Sequence, residues 1–312
     1  MDPPVHTSFR RVVEPFFAPE RMLAFEPVCR RIAVELAEAV RRDSEVELMG
    51  SFAQEFALRI QCAFMGWPSD LHEPLRQWVL KNQQATLGGH RAATAAVAQE
   101  FDAEIRRLLD LRREAGTGAP SDVTTELLHA TVDGRRLTDE EIVSIVRNWT
   151  VGELGTIAAS VGIIAHFLAT RPKVQNRLRA EPALLSAAID EVLRIHAPLI
   201  ANRRVTTSAV TIGNRAIEAG QRLTLIWASA NRDDEVFRDP DEFQLDRDPS
   251  QNLLYGAGIH VCPGAQLARL ELRVALEELL ARTSRLAILA DKPPVRAAYP
   301  ASGFSSLPLS IH

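Results

Sequence analysis

A mainly helical fold with a small β region is predicted for this sequence, and three observations predict it. Apolar residues recur at helical spacing over most of the chain. Only from Arg204 to Leu225 does the texture change, with Val205, Val210, Ile212 and Ile217 recurring among threonines around a Gly213-Asn214 turn, the signature of short strands. The tail from Pro293 to Ile311 also reads as extended. With 312 residues, a formal net charge of −4 and 24% charged residues, the chain is long enough for one large core or two modest ones. Its mild acidity argues against nucleic acid as a partner.

The elements follow in order. Pro19 to Arg42 mixes apolar and charged positions, as in Arg30-Arg31-Ile32-Ala33-Val34-Glu35-Leu36, with a kink or restart expected at Pro27. Further helices are expected over about 51–66, 70–85 and 89–114, before a loop at Gly116-Thr117-Gly118-Ala119-Pro120-Ser121-Asp122. Thr138 reads as an N-cap followed by first-turn acids Asp139, Glu140 and Glu141, opening a long helix that ends before Pro172. Its most apolar run, Gly155 to Ala169, is bounded by Glu153 and interrupted by His166. That run is too short to cross a bilayer, so a buried core helix is expected and no membrane partner. Another helix covers roughly 183–196. No repeat or low-complexity linker divides the chain, which predicts one domain over 1–312.

The opening Met-Asp-Pro-Pro-Val-His lacks the basic-then-apolar pattern of a signal peptide. Three cysteines without paired spacing fit a reducing compartment, and a cytoplasmic protein is expected. Cys29 and Cys62 lie in apolar helical contexts and are expected to pack. Cys262 differs. It sits in Tyr255-Gly256-Ala257-Gly258-Ile259-His260-Val261-Cys262-Pro263-Gly264, directly before the amphipathic run Ala265-Gln266-Leu267-Ala268-Arg269-Leu270-Glu271. Glycines let backbone amides curl around the sulfur, and the positive helix end is expected to lower the thiol pKa. Pro263 carries no N–H, which leaves the sulfur one donor fewer. A lone cysteine is otherwise most often a packed structural residue.

This loop resembles the cysteine loop of the cytochrome P-450 superfamily, Phe-Gly-x-Gly-x-His-x-Cys-x-Gly, departing only at Tyr255. The resemblance implies that Cys262 is the proximal ligand of iron in haem b (iron protoporphyrin IX), with Tyr255, His260 and Gly264 around it. Glu191-Val192-Leu193-Arg194 would by itself be a solvated helix pair. The family has a Glu-x-x-Arg helix joined by the arginine of a Phe-x-x-x-Arg segment, here Phe243 to Arg247. By that resemblance Glu191, Arg194 and Arg247 form a buried ion network bracing the cysteine loop. Haem propionates need cations, and His6, Arg10, Arg204 and His260 stand where the family places them.

In the long helix Thr156 matches the family's oxygen-activating threonine, while Gly152-Glu153-Leu154-Gly155 replaces Gly-x-x-Asp/Glu. Gly155 leaves the usual acid position empty. Glu153 lies three residues before Thr156, where its carboxylate could reach the hydroxyl directly or through one water and substitute as proton source. Read otherwise, it is a helix acid satisfied by an arginine. Asp2-Pro3-Pro4-Val5-His6 resembles the entry to the family's third major helix, so an N-terminally truncated cytochrome P-450-like fold is expected, spanning about three-quarters of a full-length member.

The resemblance implies a haem-thiolate monooxygenase inserting one oxygen atom from O₂ into an apolar small molecule. No Gly-x-Gly-x-x-Gly fingerprint occurs, so electrons are expected from a ferredoxin-type donor with an NAD(P)H-dependent reductase. The misplaced acid keeps open a peroxide-driven or non-oxygenase haem-thiolate enzyme. A catalytically incomplete haem-binding fragment is the third reading. Leu199, Ile200 and the Phe304 region are implied as pocket walls.

Overall fold

Caps and apolar spacing place the helices close to their expected positions. The computed structural model describes residues 2–312. Its first helices are α1 (Val5–Val13), α2 (Pro19–Val40), α3 (Gln54–Met65), α4 (His72–Gly88), α5 (Arg91–Ala115) and α6 (Val123–His129). They are followed by α7 (Asp139–Ala169), α8 (Pro172–Ala180), α9 (Leu185–His196), α10 (Trp227–Ala230) and α11 (Ala265–Arg282). At the head of α7, Thr138 Oγ1 accepts the Glu141 amide at 3.3 Å while Glu141 Oε2 accepts the Thr138 amide at 2.8 Å. That reciprocal box satisfies two end donors and fixes where the helix starts.

Helix α2 runs through Pro27 without a break. The ring removes the donor to the Leu23 carbonyl, but Leu23 is 73% exposed, so water can take that place. The 31-residue α7 is longer than its apolar run predicts. By length and composition it could cross a membrane, but 67% of its most apolar window is buried inside the protein. It packs on α3, α5, α9 and α11 as the central core helix. Helix α11 lies along α2, stitched by Arg30 to Glu277 at 2.8 Å and Arg273 to Glu26 at 2.7 Å.

The strands are β1 (Glu45–Glu47), β2 (Thr131–Val132), β3 (Arg135–Arg136), β4 (Ala201–Val205), β5 (Val210–Ile212), β6 (Arg215–Ile217) and β7 (Arg222–Ile226). The tail holds β8 (Leu286–Ile288), β9 (Val295–Arg296), β10 (Phe304–Ser306) and β11 (Pro308–Ile311). Strands β4 and β7 pair antiparallel from Ala201↔Ile226 to Val205↔Arg222, and β5 and β6 close a hairpin at Gly213-Asn214. Strand β11 lies between β1 and β8. Strand β1 and the β2–β3 hairpin have no counterpart in the sequence reading, because two or three residues carry no periodicity.

Helix α3 ends on Gly66, whose φ of 73° is left-handed, with the Trp67 amide returning to the Cys62 carbonyl at 2.8 Å. A Cβ there would lie 2.3 Å from the Asp122 side chain, which caps α6 at the Thr125 amide and pairs with Arg112. Gly66→Ala is therefore expected to cost about 2–4 kcal/mol from backbone strain plus overlap. Urea unfolding checks this; a loss under about 0.5 kcal/mol, the ordinary surface-substitution scale, would contradict it.

Candidate active site

The loop before α11 takes the shape its glycines permit. Gly256 and Gly258 have φ of 75° and 68°, conformations that side chains disfavour. These turns let the Cys262 amide donate to the Tyr255 carbonyl at 2.9 Å and the Val261 amide to Gly258 at 3.1 Å. The Cys262 sulfur accepts the Gly264 amide, the last residue before α11. Contrary to the sequence expectation, the thiol is pushed up. Burial dominates, and the Gly264 amide, Arg10 and Arg269 offset it only in part. The residue is open at its surface, but the protein packed near its sulfur desolvates the thiolate more than the helix end stabilises it. A metal reverses that balance, because a coordinating thiol loses its proton outright.

Ile259 and Val261, the apolar neighbours of the cysteine in the chain, remain exposed, as do Val151 on α7, Leu199 before β4 and Ile226 at the end of β7. Across α7, a Cβ added at Gly152 or Gly155 would meet nothing within 4 Å. A half-open cavity of about 290 Å³ lies elsewhere, between α4 and α5 around Leu75, Trp78 and Phe101, and includes none of these residues.

At the edge of the cysteine loop, basic side chains gather. Arg10 on α1 donates to the Val261 carbonyl at 3.0 Å, and the His6 and His260 rings meet edge to face at 4.4 Å. His260 Nε2 is 2.9 Å from Asp2 Oδ1. His6 Nδ1 is sealed from solvent without a hydrogen-bond partner, and burial, His260 and Arg10 hold its pKa down. A buried donor or acceptor without a partner is costly, so this corner suits an added anionic group. Arg204 lies apart on β4, exposed, with its guanidinium on the Arg203 carbonyl. The reachable sulfur, its exposed apolar neighbours and the anion-seeking corner together fit a flat apolar group carrying carboxylates, which is the chemistry of haem.

Glu191, Arg194 and Arg247 do come together. Arg194 forks onto Glu191 at 2.8 and 2.9 Å, and Arg247 Nε reaches Glu191 Oε1 at 2.9 Å. Arg194 also donates to the carbonyls of Asn231 and Pro240 at 2.6 and 2.8 Å, and Asn231 Oδ1 accepts the Leu253 amide at 2.7 Å. The network thus reaches from α9 to two residues before Tyr255. Arg269 stacks over the Tyr255 ring at 4.6 Å, while the Tyr255 hydroxyl is buried without a partner.

The long helix holds the surprise. Thr156 Oγ1 donates to the Gly152 carbonyl at 2.6 Å rather than to the Glu153 side chain. The Glu153 carboxyl turns instead toward Glu271 on α11. No arginine satisfies it. Glu271 was missed in the sequence; its one signal is an acid on the apolar run Leu270-Glu271-Leu272, all three of them buried.

A family model described as Cytochrome P450 matches residues 53–295. The cyclomarin C epoxidase of Salinispora arenicola (strain CNS-205) is 34% identical over 293 residues, 92% of this chain and 73% of that protein. The mycinamicin IV hydroxylase/epoxidase of Micromonospora griseorubida is 32% identical, over 90% of this chain and 71% of that one. Among solved structures, the cytochrome P450 PksS of the Bacillus subtilis 168 bacillaene polyketide synthase superposes with a TM-score of 0.91 at 28% identity, over 99% of this chain and 80% of that one. Cleft, network and kinship agree: the chain belongs to the cytochrome P450 family of haem-b monooxygenases.

Proposed function

We propose that Cys262 ligates the haem iron and that the protein, acting as one haem-thiolate domain, oxygenates an apolar small molecule with electrons from a ferredoxin-type donor and its NAD(P)H-dependent reductase. The observation that carries this reading is the Cys262 sulfur, held by the Gly264 amide between exposed Ile259 and Val261 and the corner formed by Arg10, His6 and His260. Bound haem supplies the activation of O₂ and the transfer of one oxygen atom. The chain's own residues do the rest. The Gly264 amide and the α11 N-terminus offset part of the burial that favours the thiol, and bound iron would complete its ionisation. His6, Arg10 and His260, with Arg204 from β4, receive the two propionates. Val151, Leu199 and Ile226 exclude water, with Ile200 and Phe304 as further walls. Thr156 presents a hydroxyl and Glu153 an acid on the α7 face that borders the cleft. Relatives named as a cyclomarin C epoxidase and a mycinamicin IV hydroxylase/epoxidase support a small organic molecule as substrate. A cytoplasmic setting fits this electron supply.

Reduced protein with carbon monoxide is expected to show the red-shifted Soret band of thiolate ligation. NADH, a surrogate ferredoxin and its reductase are expected to yield product carrying one atom from isotope-labelled O₂. The Thr156 hydroxyl, tied to Gly152, favours a second reading in which peroxide drives the reaction. Product formed with peroxide but never with NADH would select that reading; absence of the thiolate band would defeat both. Pro263→Leu supplies an amide beside the sulfur, and hydrogen bonds there draw off negative charge. The haem reduction potential is expected to rise, as a potentiometric titration would show, and an unchanged or lower value would mean that the amide does not point at sulfur.

A further inference from the structure

Glu271 is fully buried on α11, and neither of its oxygens has a hydrogen-bond donor. Glu153 Oε1, facing it from α7, is likewise sealed without a donor. The two carboxyls lie within hydrogen-bonding reach of each other. An ionised carboxylate only accepts, so Glu271, with both oxygens sealed from solvent and a second carboxyl as its neighbour, must keep a proton to bond with it. The groups facing the pair do not change this. Cys29 from α2, Cys62 from α3 and Tyr255 from the cysteine loop are held in their neutral forms by burial, and Cys262, a thiolate once iron is bound, adds only a further negative charge. Among the described residues, no arginine, lysine or histidine acts on either carboxyl.

We propose that Glu271 is a positioning residue for proton delivery: it keeps its own proton, donates it in a hydrogen bond to the Glu153 carboxylate, and so lets Glu153 release a proton at the cleft wall. The step balances simply. The proton leaves the Glu153 carboxyl toward the cleft, solvent restores it, and the O–H bond of Glu271 is not broken. The asymmetry of the pair supports the assignment. Glu153 is half-buried, three residues from Thr156 and close enough to Cys262 to raise the thiol, whereas Glu271 has no access to solvent. Burial pushes Glu153 up to about 8, with the Glu271 hydrogen bond pulling it back. Burial and the Glu153 charge hold Glu271 well above the carboxylate range. Glu153 is then an uncharged acid at neutral pH that can still ionise, which a proton donor requires.

The role in proton delivery rests on the monooxygenase reading; the hydrogen-bonded pair does not. Haem-loaded protein carrying carbon-13-labelled glutamate carboxyls is followed by infrared spectroscopy as pH rises. The label leaves out Asp190, whose carboxyl burial also holds up. Two protonated-glutamate bands are expected at neutral pH, one titrating near 8 and lost in Glu153→Gln, the other persisting to higher pH. Glu271→Gln keeps a donor and is expected to leave the Glu153 midpoint within about threefold in proton affinity. Glu271→Leu removes the donor and should raise that affinity at least about tenfold, as burial without a partner dictates. In turnover, the pH limb of product formed per NADH should move with the band. Equal midpoints in the two Glu271 variants, or no protonated glutamate band in the wild type, would overturn the proposal. The wild-type spectrum and Glu153→Gln decide the matter even where Glu271→Leu fails to fold. A protein lacking the thiolate spectrum sinks the monooxygenase reading instead.

Discussion

Cys262→Ser is expected to erase the thiolate signature outright. The reduced carbon monoxide complex should lose its red-shifted Soret band, and product formation with NADH should fall below detection. The substitution removes the one thiol at the floor of the cleft; Cys29 and Cys62 are buried in helices α2 and α3 with their thiols held up by burial. A hydroxyl is a weaker and more basic ligand that does not push charge onto iron as a thiolate does. Folding should survive, because Cys262 is exposed and its amide bond to Tyr255 uses backbone alone. Far-ultraviolet circular dichroism unchanged beside a vanished band is the full expected result. A retained band would assign the ligand to another residue.

The second large effect concerns Arg194, the largest of the fully buried side chains. Its guanidinium is the hub of five contacts: two to Glu191, two to carbonyls of the 231–240 segment and the face of Phe237. Arg194→Ala strands the Glu191 carboxylate with Arg247 as its one remaining charged partner and leaves two buried carbonyls without donors. Removing one member of a buried ion pair costs about 3–5 kcal/mol. That is a large part of the 5–15 kcal/mol that ordinarily holds a fold together. Arg194→Lys should recover only part, since an ammonium cannot fork onto Glu191 while serving two carbonyls. Denaturant midpoints and haem retention measure both variants. A loss below about 1 kcal/mol for the alanine variant would mean that the network is dispensable, since that is the scale of an exposed pair.

The sequence shows the long helices because apolar spacing and caps such as Thr138 are local properties, and α2, α5, α7 and α9 lie within a few residues of expectation. The Cys262 loop was legible for the same reason: its glycines and its cysteine are neighbours in the chain. The Glu191–Arg194–Arg247 set could be named only through family likeness, because Arg247 comes from a segment 53 residues beyond Arg194. The Glu153–Glu271 contact was not legible at all. Position within α7 places Glu153 on a face shared with Thr156, but which way a long side chain turns depends on what the facing helix offers. Here α11 offers an acid. The thiol direction was misread for a related reason: a helix end is visible in sequence, whereas desolvation belongs to the packed cleft.

The sheet in which β11 joins β1 to β8 bears on how the protein is made. Val46 pairs with Leu309 and Glu45 with Ser310, so segments far apart in the sequence lie side by side. Leu309 and Ile311 are almost wholly buried there, as is Leu307 just before them. During vectorial synthesis, the segment at 45–47 must wait with an unpaired edge until residues 308–311 have been translated. Helices can form early, but the core around this sheet closes only after that, by a contact between segments far apart in the sequence. An exposed waiting edge invites pairing with another nascent chain. Slow translation or crowding of ribosomes on one message should therefore lower the soluble yield more than it would for a bundle closed by local contacts.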